Sequence, residues 1–369
     1  MNRVPVTAKD GQQLMPTKPS KARRLVRDGK AISKFNKLGI NYIQLTFEPS
    51  DRKIQPIAIG VDSGKKYTGI GLQSSKFTLF AAHLILPFKT VKERMEQRQM
   101  MRRARRGRRI DRSLPFELRA HRQCRFDNRR QKKVVPSLKS NRLLELRVIS
   151  ELAKIYPITQ IVFEYVKAKT LPGCSFSPVQ IGQKWAIEQL NKIAPVTTKF
   201  GWETANLREH FGLLKQKHSK SDPVPETHAV DGVALASSAF EDYRRFENSQ
   251  GRGHCWQGKV KITSCPFFVI RRPPISRRQL HLMTFAKGGE RRKYGGTTTP
   301  FGIRKGDLVR YKDKLGYCSG YTGKSVSVSD ANWKRLGRYA MSKVKLVKRS
   351  TNLICKNTIG GAKFPYAQT

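Results

Sequence analysis

The 369-residue chain carries 74 Lys and Arg against 26 Asp and Glu, a formal net charge of +48, which repels itself in any compact fold and makes a polyanion its strongest general partner. The charge runs along nearly the whole sequence, favouring a large nucleic acid over an acidic membrane surface. The length allows two or three domains, no run of about 18 apolar residues offers a transmembrane helix, and the start, "MNRVPVTAKDGQQLMP", lacks the apolar centre of a signal peptide.

Residues 1–52 read as a small basic unit. A short helix with Arg23, Arg24 and Arg27 on its polar side is halted by Gly29, and "NYIQLTF" follows as a strand. Residues 53–90 are strand-like: "IQPIAIGV", "YTGIGLQ" and "FTLFAAHLILP" alternate between Gly- or Ser-containing turns, the pattern of a β-meander. Across 91–137 the period becomes helical. Arg94, Arg98, Arg102, Arg105 and Arg109 recur at steps of three or four, with Arg103, Arg106 and Arg108 between them, which places a guanidinium stripe on one face. A charge run is commonly only a solvated face. This one has almost no acids after Glu96 to pair with, so self-repulsion would fray a bare helix, whereas bidentate donors suit a row of phosphates.

In 138–195, "LKSNRLLELRVISELAKIYP" is an amphipathic helix, "ITQIVFEYV" a strand carrying the lone acid Glu164, and "VQIGQKWAIEQLNKIAP" a second helix. In 196–245, "VTTKFGWET" suggests a strand and "ANLREHFGLL" a short helix; "THAVDGVALASSAFEDY" predicts a helix with His228 and Asp231 in its first turn. Residues 246–369 are β-rich and basic, with "KVKITS", "FFVIRR", "GDLVRYKD", "GYCSGYT" and "SVSVSD" as short strands of a small barrel. Its Tyr294, Tyr311, Tyr317, Tyr321 and Trp333 interleave with Lys and Arg. Six cysteines at 124, 174, 255, 265, 318 and 355 form no Cys-x-x-Cys pair and read as reduced thiols.

Asp62 ends the apolar run "IAIGV", where a turn aspartate of a hairpin is the plain reading. Glu164 also ends a strand and Asp231 begins a helix, so three carboxylates can converge at one edge of a mixed α/β sheet. In so basic a chain they would form a local negative pocket suited to a pair of Mg²⁺ ions. Two hard cations roughly 4 Å apart fit in-line phosphodiester cleavage. His228, three residues before Asp231 on the same helical face, could take a proton from the attacking water. Taken singly it reads as a packed or capping residue.

"IGVDSGKKYTGIGL", "IVFEY" and "HAVDGVALA" resemble the three split segments of a RuvC nuclease domain, an RNase H-like fold. The "RRARRGRR" helix resembles the bridge helix of the IscB family of transposon-encoded RNA-guided nucleases. The N-terminal stretch resembles that family's PLMP domain, with Gln13 in place of the first proline before Leu14, Met15 and Pro16. The interval from Glu164 to His228 holds only two other histidines, His210 and His218, and one cysteine, Cys174, and most of it is taken up by sheet and helix elements, which leaves no room for an HNH nuclease domain. The nearer resemblance is therefore to IsrB, the HNH-lacking relatives.

The resemblance implies an α/β RuvC core in three segments, with a PLMP-like domain, an Arg-rich bridge helix and a β-rich C-terminal domain. It implies a metal-dependent, RNA-guided nickase with Asp62, Glu164, His228 and Asp231 catalytic and the three acids ligating Mg²⁺ or Mn²⁺. An omega RNA would pair with the target strand, the C-terminal domain would read an adjacent motif, and the displaced strand would be cut. A monomeric protein in a cytoplasmic, prokaryotic ribonucleoprotein, nucleoid-associated when bound to DNA, is expected. A guide-independent junction nuclease, a transposase and a non-cleaving RNA-binding protein are the rival readings.

Overall fold

The computed structural model describes residues 3–107, 111–118, 134–167, 177–219, 222–248, 251–275, 283–284, 290–291, 299 and 302–357. Arg108, Arg109, Tyr294, Cys124 and Cys174 lie outside the described residues, as do the side chains of Arg105, Arg106 and His218. The chain divides into two units, one of Met1–Leu86, Leu138–Arg271 and Cys355–Thr369, the other of Pro87–Ser137 and Arg272–Ile354. It is a mixed α/β protein with several sheets and six α-helices among the described residues.

The first unit opens with β1 (Val4–Thr7), β2 (Gln13–Thr17), α1 (Pro19–Arg27), β3 (Ala31–Phe35) and β4 (Asn41–Leu45), whose sheet has the order β2-β1-β4-β3. Val6, Leu14, Ala22 and Ile43 form its core. Pro19 starts α1, where a missing N–H costs nothing. Gly29, at φ +69°, supplies the left-handed turn that ends it. Arg23, Arg24 and Arg27 are exposed on α1.

A meander follows: β5 (Ile57–Ser63), β6 (Tyr67–Ser74) and β7 (Thr78–Ile85), each antiparallel to the next. The chain then enters the second unit through α2 (Phe88–Gly107) and returns along α3 (Pro136–Ala153) to β8 (Gln160–Tyr165). Beyond it come α4 (Pro178–Leu190), β9 (Val196–Phe200), α5 (Gly201–His210), the short pair β10 (Lys217–Ser219) and β11 (Asp222–Pro223), and α6 (Pro225–Ser237). The hairpin β12 (Glu241–Asn248) with β13 (Gly251–Gly258) precedes β14 (Phe267–Arg271).

Later strands are β15 (Met283–Thr284), β16 (Glu290–Arg291), β17 (Leu308–Tyr311), β18 (Lys314–Thr322), β19 (Ser325–Ser329), β20 (Arg335–Ala340), β21 (Lys345–Lys348) and β22 (Ile354–Asn357). The large sheet has the order β22-β14-β7-β6-β5-β8-β9. β8 runs parallel to β5, β9 to β8 and β14 to β7. β5 is buried along nearly its whole length, as expected of a central strand covered on both faces.

One covering element is α6, and glycine lets it sit unusually close. A Cβ on Gly60 would lie 2.0 Å from the Gly232 carbonyl oxygen, and one on Gly71 would lie 2.4 Å from the Val233 nitrogen. On the other face, α3 buries Leu144, Val148, Ile149 and Leu152. It also grips the β5–β6 turn with polar groups. Glu145 accepts hydrogen bonds from Ser63 (3.0 Å) and Thr68 (2.6 Å), and pairs with the buried Arg142 at 2.7 Å. Asn141 Nδ2 donates to the Lys65 carbonyl at 2.9 Å.

Several details differ from the sequence reading. "VTTKFGWET" is a strand only as far as Phe200, and its last four residues open α5; the "EDY" read as the end of the last helix begins β12. "KVKITS" (259–264) forms no strand. "FFVIRR" supplies β14, which joins the large sheet beside β7; its mostly buried pattern suits that sheet, and short-range periodicity cannot name a strand's partner. Helix α6 begins at Pro225, so Asp231 lies in its second turn.

The second unit contains α2 and an antiparallel sheet of order β20-β19-β18-β17-β21, with Ile303, Val309, Cys318, Val326, Val328 and Val344 as its core. Tyr311 and Tyr339 stack at 3.8 Å. Cys255, Cys265 and Cys318 are free thiols. Among the described residues no helix is long and apolar enough to cross a membrane.

Candidate active site

The register of β5 against β8 pairs Val61 with Phe163, so one step further Asp62 and Glu164 reach the same level on adjacent strands. Along β5 successive side chains alternate faces. Ser63 turns to α3 and Glu145, whereas Asp62 turns to α6, where His228 Nε2 stands 3.6 Å from Asp62 Oδ2. One helical turn past His228, Asp231 completes the group. The structure brings together all four residues singled out in the sequence.

Burial raises the Asp62 carboxyl well above its usual range, and the negative charges of Asp231 and Glu164 push it further; Lys215 opposes them. Burial also raises Glu164, while a 2.7 Å hydrogen bond from Thr204 works the other way. These mutual shifts are the electrostatic signature of three acids in one poorly solvated place. Burial, with the nearby charges of Lys215 and Lys217, pushes His228 down to about 3. Its ring packs edge-on against His83 at 4.9 Å and Tyr67 at 6.2 Å.

Sequence reasoning missed Thr204, Arg208 and Lys215. Lys215 is bonded to Asp231 Oδ2, and Arg208 Nε lies 3.0 Å from Oδ1 without forming a hydrogen bond. Thr204 and Arg208 are one helical turn apart on α5, and Lys215 lies in the connection after it. No local pattern marks them; their roles arise only when α5 packs beside α6.

Three carboxylates, Asp231 buried and Asp62 and Glu164 half-buried, provide the hard oxygen donors that Mg²⁺ prefers, and Asp231 Oδ1 is buried without a hydrogen bond. The residues fit a divalent cation in donor chemistry. Among the described residues, no three His, Cys, Asp or Glu groups form a ready-made metal cluster; Lys215 and Arg208 stand on Asp231 instead.

Of the arginine stripe, Arg98, Arg102 and Arg103 are exposed on α2. Arg94 is half-buried and donates to the Pro274 carbonyl at 3.2 Å, so part of its guanidinium serves packing.

No curated protein matches the chain. A solved structure, "T. thermophilus RuvC in complex with Holliday junction substrate", is similar at 11% identity over 49% of this chain and 90% of that chain, with a TM-score of 0.26; so loose a likeness carries no inference about the site. Residues 4–172, a stretch that includes Asp62 and Glu164 but ends before His228 and Asp231, match the family model described as RRXRR protein.

Proposed function

We propose that this protein is an RNA-guided endodeoxyribonuclease of the IsrB kind, nicking the displaced strand at a single site built from Asp62, Glu164, His228 and Asp231. The observation that carries the reading is the convergence of three carboxylates, from three distant chain segments, at one end of the large sheet. The meander β5–β6–β7, with β8 added parallel beside β5 and β9 parallel beside β8, supports an RNase H-like, RuvC-type core. The RRXRR match, to a family found in IscB- and IsrB-type RNA-guided nucleases, supports the guided class.

Asp62, Glu164 and Asp231 would hold divalent cations, Mg²⁺ or Mn²⁺, which when bound supply a Lewis acid for the phosphodiester and acidify a bound water. His228 stands 3.6 Å from Asp62, where it would receive the attacking water's proton; in the free protein burial keeps it neutral at ordinary pH. Arg208 and Lys215 put two positive charges at the same point, where a strand's phosphates can exchange places with the Asp231 carboxylate. Thr204 fixes the orientation of Glu164 through its hydroxyl. The exposed arginines of α1 and α2 and the +48 charge suit a structured guide RNA.

The test is a strand-labelled cleavage assay of the protein co-expressed with RNA encoded beside its gene. The duplex carries a matching target with a randomised flank, and Mg²⁺ is added. A nick confined to the non-target strand, lost on omitting RNA and in Asp62→Ala, is the expected result. Guided binding without a cut under either metal would leave a targeting protein instead.

A further inference from the structure

Beside the candidate site, a row of rings climbs out of the core on one face of the β12–β13 hairpin. Tyr243 pairs with Trp256 across the strands, and Arg245 with His254; direct partners and alternate residues share a face. Trp256 and Tyr243 have ring centroids 4.9 Å apart, and Tyr243 stacks on His254 at 5.2 Å with only 15° between planes. Each end meets a cation. Lys199 Nζ sits 5.0 Å over the Trp256 ring, and Arg245 Nε donates to His254 Nε2 at 3.2 Å. The row runs from buried to open: Trp256 is 8% exposed and Tyr243 43%.

The inner end adjoins the acids. Lys199 on β9 is the register partner of Glu164 on β8, so the two side chains lie on the same face of the sheet. A second pair of open aromatics, Phe200 and Trp202, flanks Gly201, where a Cβ would lie 3.4 Å from Glu164 Oε1.

Cross-strand packing of the hairpin is met by Tyr243 against Trp256. His254 and the open part of Tyr243 extend the row into solvent, where packing stabilises little. The nearby acids are occupied: Asp242 by Arg244 at 2.8 Å and Glu203 by Lys199 at 3.1 Å. A row of planar rings with the exposed Arg245 at its outer end is complementary to a strand that offers π-faces and phosphates together.

We propose that the open end of this row, Tyr243 and His254 anchored on the buried Trp256, is a stacking track for unpaired bases of single-stranded DNA, leading that strand to the carboxylates at Glu164. This rests on the nuclease reading and names how its substrate is held. Stacking tolerates any base, so the track is indifferent to sequence and depends on the bases being unpaired.

The probe is a labelled oligothymidylate carrying one 2-aminopurine, titrated into the full-length protein. Controls are an abasic strand of equal charge, the matching RNA and a duplex. The wild type is expected to quench 2-aminopurine and to prefer the base-bearing strand to the abasic one and to the duplex. Tyr243→Leu is expected to weaken single-strand binding about 5- to 150-fold with the salt slope unchanged. Tyr243→Phe should bind as the wild type does, which separates stacking from misfolding.

Equal affinity for base-bearing and abasic strands, or for Tyr243→Leu and wild type, overturns the track, as does tighter binding of RNA than DNA. Failure of the nuclease reading would show separately, as no nick by wild-type ribonucleoprotein while the binding contrast persists.

Discussion

Nε2 of His228 stands 3.6 Å from Oδ2 of Asp62, a helix side chain facing a strand side chain across the gap that glycines keep narrow. Burial and two lysine charges hold that imidazole near pKa 3, so it is neutral throughout the range where the protein would work. His228→Ala is expected to slow strand cutting about 10²- to 10⁴-fold while leaving the shape of the pH–rate profile above about pH 5 unchanged. A wild-type inflection near 6.5 that disappears in the variant would mean the imidazole titrates as an ordinary histidine.

Asp62 works against the fold. Its carboxyl is raised by burial and by Asp231 and Glu164, so the folded state binds that proton more tightly than the unfolded chain. Stability therefore falls as pH rises from about 4 through the raised value. Metal-free Asp62→Asn is expected to melt above the wild type at about pH 8, by about 1–2 °C for each kcal/mol relieved, with the gap closing toward about pH 4. Equal melting temperatures at both pH values would show that the three acids do not repel one another.

Arg142 and Glu145 form a buried ion pair, each side chain 3% exposed, that also holds Ser63 and Thr68 at the turn beside Asp62. Glu145→Leu alone strands the guanidinium and is expected to cost about 3–5 kcal/mol. Arg142→Met with Glu145→Leu should recover most of it. Urea unfolding of the two singles and the double supplies the coupling energy, and additive losses would refute a direct pairing.

Arg98 and Arg102 are exposed at successive turns of α2. If they lie along phosphates, each substitution to Ala should flatten the log–log salt dependence of RNA binding by about one unit, evenly across RNA sequences. Arg94→Ala should act through stability as well, since its guanidinium also bonds the Pro274 carbonyl. An unchanged slope in all three would place the RNA elsewhere.

The core strands were legible because β5 and β8 are apolar runs ending in an acid, and α6 was legible as a run of small apolar residues after a polar loop. His228 and Asp231 share a helical face by spacing alone. What could not be read was anything set by tertiary approach. Lys215 looks like one more lysine in a basic loop, and Thr204 like any helical threonine. The partner of β14 was hidden for the same reason, since an apolar strand carries no label for the neighbour it joins.

Where α6 crosses the sheet, main chain meets main chain at Gly60, Gly71 and Gly232. Any residue-changing mutation of a glycine codon adds at least a Cβ, and here that carbon has nowhere to go. A methyl at this seam would act as a wedge, lifting His228 and Asp231 together from Asp62 without touching any of them. The distance between reacting groups is thus written in residues that bear no chemistry, and sequence drift at those positions would be expected to silence the protein as surely as losing an acid.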